Sequence, residues 1–577
     1  LLSEVKLLRR LFWSTRLRDR VHRPTIGEKT LNNIEKSPVS AGNRVALSGR
    51  RGFLGATATA AVAGVFGVGT GLASGEAKAG AMPRPQTTPR GAKALKQRVD
   101  RATANLAGIM ADPVGNGDEQ SVPNFAAQYS KGLPHNALGE VDPAAYQALY
   151  RACRSNLESD WAAVPMGGTA RQVSPQAALA FQMEGADPTR LRIPAAPTFA
   201  SEQRAAEMCE VYWMALLRDV PFSQYEGNAL AAQAVVDLRR FALYRDVTAQ
   251  SLFRGVTAGE KVGPYLSQFL WKTIPYGMTT ITQQYAAGAA HVDFMTAVAE
   301  CVRVQNGLVP SQAQSLGAPH FARDGRDLGE YVHRDFSYQA FLNAALILLG
   351  LGGAALDDTN PYRAYANRAN FVCLGGPDVL SLVAQAGVLG LKAAWYQKWA
   401  VNRTLRPEVF ALRVHQHESG AHSYPIHSSL FASPALDHIH SAHGTLLLPM
   451  AFAEGSPTHP AYPAGHAAIA GACTTVLKAF FKESHVMPNP VVARDDGSAL
   501  DSYNGAALTV GGELDKLAAN ISIGRNIAGV HYWSDGIEGM RLGEKVGLAL
   551  LADIRGTYPE SFGGFVLTKF DGSVVTI

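Results

Sequence analysis

Ser522-Ile523-Gly524-Arg525-Asn526-Ile527-Ala528-Gly529-Val530-His531, with Asp535 four residues further on, decides how the rest of this chain is read. The stretch sets a guanidinium, which stays charged at any ordinary pH, close to an imidazole. His531 and Asp535 are four apart, a spacing that stacks them on one helical face. There the carboxylate accepts from one ring nitrogen and leaves the other free to ligate or attack. Gly529 suggests that the backbone passes close to a ligand. Taken alone, an ordinary i,i+4 surface pair reads the same way.

Two earlier segments supply what such a pair needs. In the first, Lys398-Trp399 is followed by Arg406-Pro407. Residues 391–403 read as a helix that Pro407 stops. Lys398 and Arg406 are about two turns apart, so both reach one pocket if the chain bends at Leu405. Lysine gives a mobile point charge and arginine a bidentate fork, which suit different oxygens of one anion. By themselves the two would be solvated surface cations.

The second segment is Tyr462-Pro463-Ala464-Gly465-His466, ahead of an Ala-rich helix. Pro and Gly here fit a helix N-terminus whose free N–H groups face an anion, with His466 standing over it to move a proton. A lone first-turn histidine is more often a cap neighbour. Together the segments give three cations, two histidines and a nest of N–H groups. That set is equipped to hold a tetrahedral oxyanion such as phosphate or vanadate.

The 577-residue chain is 47% hydrophobic and 18% charged, ordinary for a globular protein, and its net charge of +5 is small. Without a Lys/Arg block it implies no nucleic-acid partner. From residue 92 onward the pattern is Ala-rich with 3.6-residue periodicity, for example over 201–217, 227–243, 283–304 and 338–351. Strand candidates are short: 506–509, 564–566 and 574–577. The fold class is therefore all-α, built of packed helix bundles. Nine of the sixteen histidines fall in 415–466, yet His438-Ile-His440-Ser-Ala-His443 fits no common zinc motif, and hydrogen-bonded loop histidines are expected. The five scattered cysteines read as buried free thiols.

Residues 1–91 read as a tail. Ser48-Gly49-Arg50-Arg51-Gly52-Phe53-Leu54 resembles a twin-arginine export signal, a weakly apolar run covers 55–73, and Ala77-Lys78-Ala79 is a cleavage candidate. Residues 81–91 read as linker and 92–577 as the helical domain, with the oxyanion site in 330–560. No mature membrane span is expected, and the protein is expected to be exported, or cytoplasmic if the signal is vestigial.

The three segments, in this order, resemble the signature of the type 2 acid phosphatase and vanadium haloperoxidase superfamily. Ser456 to His466 and Gly524 to Tyr532 are similar to segments of the algal bromoperoxidases, and Tyr331-Val332-His333-Arg334-Asp335 also looks familial. The Ala-rich composition and export signal look like actinomycete members, among them chloroperoxidases of meroterpenoid naphthoquinone pathways. The resemblance implies that His531 ligates vanadate, or carries phosphate in a phosphatase. Lys398, Arg406 and Arg525 would neutralise its oxygens, helped by the Gly465 N–H. His466 would take a proton from hydrogen peroxide, Lys398 would polarise the bound peroxide, and Asp535 would orient His531. The partners implied are hydrogen peroxide, a halide and a small electron-rich organic substrate, with a homodimer as the expected assembly. Ala464 departs from the pattern, which has a serine there. Its absence points also to a vanadate-independent isomerase that rearranges an α-hydroxyketone on the same fold. Acid phosphatase is the second alternative.

Overall fold

The computed structural model describes residues 87–108, 115–257 and 259–577. The twin-arginine-like segment lies outside them. Residues Arg84–Ile577 form one compact unit, and helix already begins at Thr87, within the stretch read as linker.

The helices that position the site are α1 (Glu202–Leu217), α2 (Gly325–Arg334), α3 (Gln339–Gly350), α4 (Gly376–Trp395), α5 (Pro407–Glu418), α6 (Gly465–Phe480), α7 (Val510–Ile527) and α8 (Trp533–Arg555). Ser201 opens α1, its side chain accepting from the Arg204 N–H. Thr509 opens α7 in the same way through the Gly512 N–H. Nearly every residue of α6 is buried. It lies against α4, α7 and α8 at the centre of the C-terminal bundle, as its run of Ala and Gly anticipates.

Small residues set how closely these helices approach. A Cβ on Gly543 of α8 would meet the Ala468 carbonyl oxygen at 2.1 Å, and one on Gly471 of α6 would meet the Met540 carbonyl oxygen at 2.0 Å. Both distances are below any real contact, so only glycine permits this crossing. The crossing brings the N-termini of α6 and α8 together, and the Ala464 N–H donates to the Asp535 carbonyl at 2.9 Å.

Strands among the described residues are three antiparallel two-stranded ribbons. Ile274–Tyr276 (β1) pairs with Thr279–Ile281 (β2), Val491–Ala493 (β3) with Leu500–Ser502 (β4), and Val566–Thr568 (β5) with Val574–Thr576 (β6). The C-terminal ribbon matches two expected strands to within two residues. The expected strand over 506–509 is absent, since only Thr509 makes an isolated bridge, to Val486. The helix expected over 283–304 shrinks to Val298–Gln305, because residues 285–294 spend backbone groups on isolated bridges to 316, 320 and 450. All five cysteines are free thiols. Cys209, Cys301 and Cys473 are buried, Cys153 and Cys373 partly so. One described helix, Gly376–Asn402, is long and apolar enough to cross a membrane, but its inner face is covered by α6 and α8.

Candidate active site

Lys398 sits on a widened, π-helical turn, Tyr396–Asn402, that continues α4. The chain then reverses at Arg403, in the left-handed region at φ 44°, rather than at Leu405 as the sequence suggests. A non-glycine residue adopts that conformation only where surroundings hold it. Here the Arg403 N–H donates to the Lys398 carbonyl at 2.9 Å. Its guanidinium forks onto Glu119 through Nε at 2.8 Å and Nη2 at 2.7 Å. The reversal delivers Arg406 to the position before Pro407, the first residue of α5.

Arg406 is the hub. Nη1 donates to the Val530 carbonyl at 2.7 Å and to His531 Nε2 at 2.9 Å, and Nη2 donates to His459 Nδ1 at 2.9 Å. Guanidinium only donates, so His531 Nε2 carries a lone pair and its proton sits on Nδ1. That proton is given to Asp535 Oδ2 at 2.7 Å. The His531–Asp535 contact is thus present, but not as the helical-face pair its spacing suggests. His531 lies two residues ahead of α8, and the Asp535 carboxylate folds back over the helix start, also accepting from the Tyr532 N–H at 3.2 Å. Gly529, at φ 86°, serves the C-terminal reversal of α7, where the Val530 N–H returns to the Arg525 carbonyl at 3.1 Å. A Cβ there would meet Met450 Sδ at 2.9 Å. The turn by itself requires glycine here.

Lys398 is fully enclosed, its Nζ donating to the carbonyls of Pro460 and Ala461 at 2.6 Å each. Arg525 donates through Nη1 to the Val332 carbonyl at 2.8 Å, while its buried Nε has no partner. Desolvation pushes Lys398 well below the ordinary ammonium range, with Arg406 next to it as the second cause. Burial lowers Arg406 and Arg525 to about 10. It also holds His531 well below the usual imidazole range, reinforced by Arg406, Lys398 and Arg525, so His531 is neutral. Asp535 is raised by the same burial and drawn back down chiefly by Arg204. Arg204, on α1, pairs with Glu207 at 2.8 Å and covers the Tyr532 ring at 3.8 Å.

Above this layer opens a cleft of about 770 Å³. It is lined by Arg525, His531, His459, Gly465 and His466 together with Asp335, Trp395 and Phe452, with Val309 at its rim. Lys398 and Arg406 are not on its wall and act from one layer behind. His466, 24% exposed, contacts Asp335 Oδ1 through Nε2 at 2.9 Å. Ala464 precedes α6 and offers no side-chain cap.

The chain is 33% identical to the vanadium-dependent bromoperoxidase of Corallina officinalis, over 86% of this chain and 100% of that protein. It is 34% identical to that of Ascophyllum nodosum, over 84% of this chain and 92% of that protein. The chain belongs to the vanadium haloperoxidase family. Residues 380–557 match the family's VCPO second helical-bundle domain. The homohexameric second vanadate-dependent bromoperoxidase of A. nodosum superposes with a TM-score of 0.80 at 30% identity, covering 87% of this chain and 94% of that one.

Within this member of the haloperoxidase family, the three sequence segments converge as anticipated. Arg406 touches His531 directly, while Lys398 and Arg525 act on it through space. Three contacts are not legible in the sequence, although His459 matches a histidine of the algal brominating enzymes. Asp335 lay in a segment noted as familial, but nothing local showed that it would meet His466, 131 residues away. The His459 contact to Arg406 and the Arg204–Tyr532 support are likewise invisible to periodicity. The clustered histidines of 415–443 form no metal site among the described residues. They are not mainly loop residues as expected: His415 and His417 lie on α5, and His438, His440 and His443 on a helix over Pro434–His443; His415 accepts from the Leu446 N–H at 3.4 Å.

Proposed function

We propose that this protein is a vanadate-dependent haloperoxidase that oxidises bromide or chloride with hydrogen peroxide and halogenates an electron-rich terpenoid or naphthoquinone. The observation that carries the reading is the enclosed Lys398–Arg406–His531–Asp535 layer beneath an open cleft. Lys398, Arg406 and Arg525 are buried and make no ion pair among the described residues, while the layer's carboxylate, Asp535, touches His531 instead, an imbalance that a bound oxyanion would relieve. The orphaned Arg525 Nε and the first N–H groups of α6 are donors awaiting an acceptor. The donor set therefore fits vanadate.

His531 would hold it through Nε2, Arg406 Nη1 turning from that nitrogen to an oxygen of the anion. Arg406 and Lys398 would neutralise charge from behind, Arg525 from the wall, and the Gly465 N–H from the start of α6. Vanadate, when bound, supplies the Lewis acidity that activates hydrogen peroxide toward halide. Asp535 keeps the His531 proton on Nδ1. His466, oriented by Asp335, accepts the proton peroxide gives up and returns one as halide, peroxide and a proton become hypohalous acid and water. The apolar side of the cleft, with Trp395 and Phe452, suits a hydrophobic ring. Elemental vanadium in the purified protein, and bromination of monochlorodimedone that requires orthovanadate, test the reading. Neither occurring overturns it.

Ala464 favours a second reading. A hydrogen bond to a charged partner is worth about 1.5–3 kcal/mol, so the missing serine hydroxyl weakens vanadate binding about 10- to 150-fold. In a vanadate-independent α-hydroxyketone isomerase, His466 would move protons and the cations would stabilise an enolate-like oxygen. Turnover of such a ketone by vanadium-free protein would establish it. We also propose export through the twin-arginine-like segment, tested by replacing Arg50 and Arg51 with Lys and locating the product. Self-association is proposed too, measured by light scattering.

A further inference from the structure

A second cavity, of about 340 Å³, shares no lining residue with the cleft. One side is a layered stack. The rings of Phe222 and Tyr265 lie 3.7 Å apart and 5° from parallel, and the Arg254 guanidinium sits 5.1 Å from the centre of the Tyr265 ring. Phe222 is half-buried and Tyr265 is buried, so the stack extends inward from an accessible aromatic face. The other side carries charge. Lys261 and Arg323 join Arg254 on the wall, against one exposed carboxylate, Glu226.

These three cations are not equally committed. Arg323 is partly spent on Asp324 at 3.4 Å and on the Asp496 carbonyl. Arg254 donates through Nη1 to the Glu260 carbonyl at 2.8 Å and through Nη2 to the Gly263 carbonyl at 3.1 Å. Its Nε is enclosed and unpartnered. Among the described residues no carboxylate lies within ion-pair distance of Arg254 or Lys261. Glu260, Glu513 and Glu226 act on Arg254 only through space, and a buried donor left unused with no carboxylate in contact is costly unless something completes it. The volume is enough for one ring and its substituent.

We infer that this cavity is a binding site for a small aromatic acid, taking one flat ring along the Phe222 side of the stack and one oxyanion between the Arg254 guanidinium and the Lys261 ammonium. The site is independent of halogenation. It gives the protein a place to hold an aromatic anion away from the oxidising cleft.

Benzoate titrated calorimetrically into the full chain at low salt tests this, with benzamide and cyclohexanecarboxylate as controls for charge and ring. One saturable benzoate site is expected, with benzamide at least about tenfold weaker. Lys261→Ala, at an exposed side chain, should weaken benzoate about tenfold, and Phe222→Leu should remove the preference over cyclohexanecarboxylate. Arg254→Gln should abolish binding with the thermal transition retained; if it unfolds the chain, the Lys261 and Phe222 variants decide. Arg525→Met should leave benzoate affinity unchanged. No saturation up to about 10 mM, equal binding of benzamide, or loss of binding in Arg525→Met but not in Lys261→Ala would each overturn the inference.

Discussion

The floor of the candidate active-site cleft and its mouth are built on different principles. On the floor, Lys398 and Arg406 spend their donors on main-chain carbonyls and ring nitrogens, and Asp535 is wholly enclosed. At the mouth, titratable groups meet one another: His466 with Asp335, and His333 with Glu330 at 3.3 Å and Glu454 at 2.6 Å. His333 also stacks on Phe452 at 3.7 Å. The floor keeps its titratable groups enclosed and away from solvent. The mouth can exchange protons, since Glu454 is half exposed. A site that must both bind an anion and pass protons gains from separating the two tasks, because a group that titrates makes an unsteady counter-charge.

The sharpest break of this contrast is His531→Ala. Removing the imidazole nitrogen that would hold the anion should lower halogenation at least about a thousandfold and eliminate bound vanadium. Activity within tenfold of the parent would show that the floor is not the anion site. Asp535→Ala should weaken vanadate about 10- to 100-fold and destabilise the fold by about 3–5 kcal/mol in urea, since Arg204 and the neighbouring cations lose their enclosed counter-charge. At the mouth, Asp335→Asn should cost about 10- to 100-fold in kcat and change the pH profile, with vanadate affinity within about threefold. An equal loss in affinity would merge the two layers. Ala464→Ser sharpens the floor by adding one donor at the start of α6, and should tighten vanadate about tenfold. Unchanged affinity would count against an oxyanion there.

The smallest effect concerns stability at the mouth. Burial is the largest single influence on His333, yet hydrogen bonds to Glu330 and Glu454 outweigh it and raise its pKa. Those carboxylates are lowered in turn, likewise against desolvation. The imidazolium's contribution is complete below 6.5 and lost as pH rises through the raised value. The carboxylates' contribution is complete above 4.5 and lost as pH falls through their lowered values. Their combined contribution is therefore greatest between pH 4.5 and 6.5. Glu454→Gln should flatten that maximum by less than about 1 kcal/mol, given its exposure. An unaltered stability profile would show the pair to be inert.

The all-α class and the helices around 201–217, 338–351 and 465–480 were legible because their periodicity is local. The short ribbon at 491–502 was not, since three-residue strands leave almost no alternation to read, and the 283–297 loop mimics a helix in composition alone.

Residue type and chain order settled which groups this protein possesses: a lysine, two arginines and two histidines in three segments, with alanine at 464. Tertiary packing decided what each does. It carried Arg406 to His531 through a left-handed turn braced by Glu119, placed Asp535 on His531 through a helix cap, and brought Asp335 under His466. Those outcomes depend on glycine-spaced helix crossings and on partners up to hundreds of residues away. Local sequence pattern records which side chains are present, whereas their distances follow from how whole helices pack.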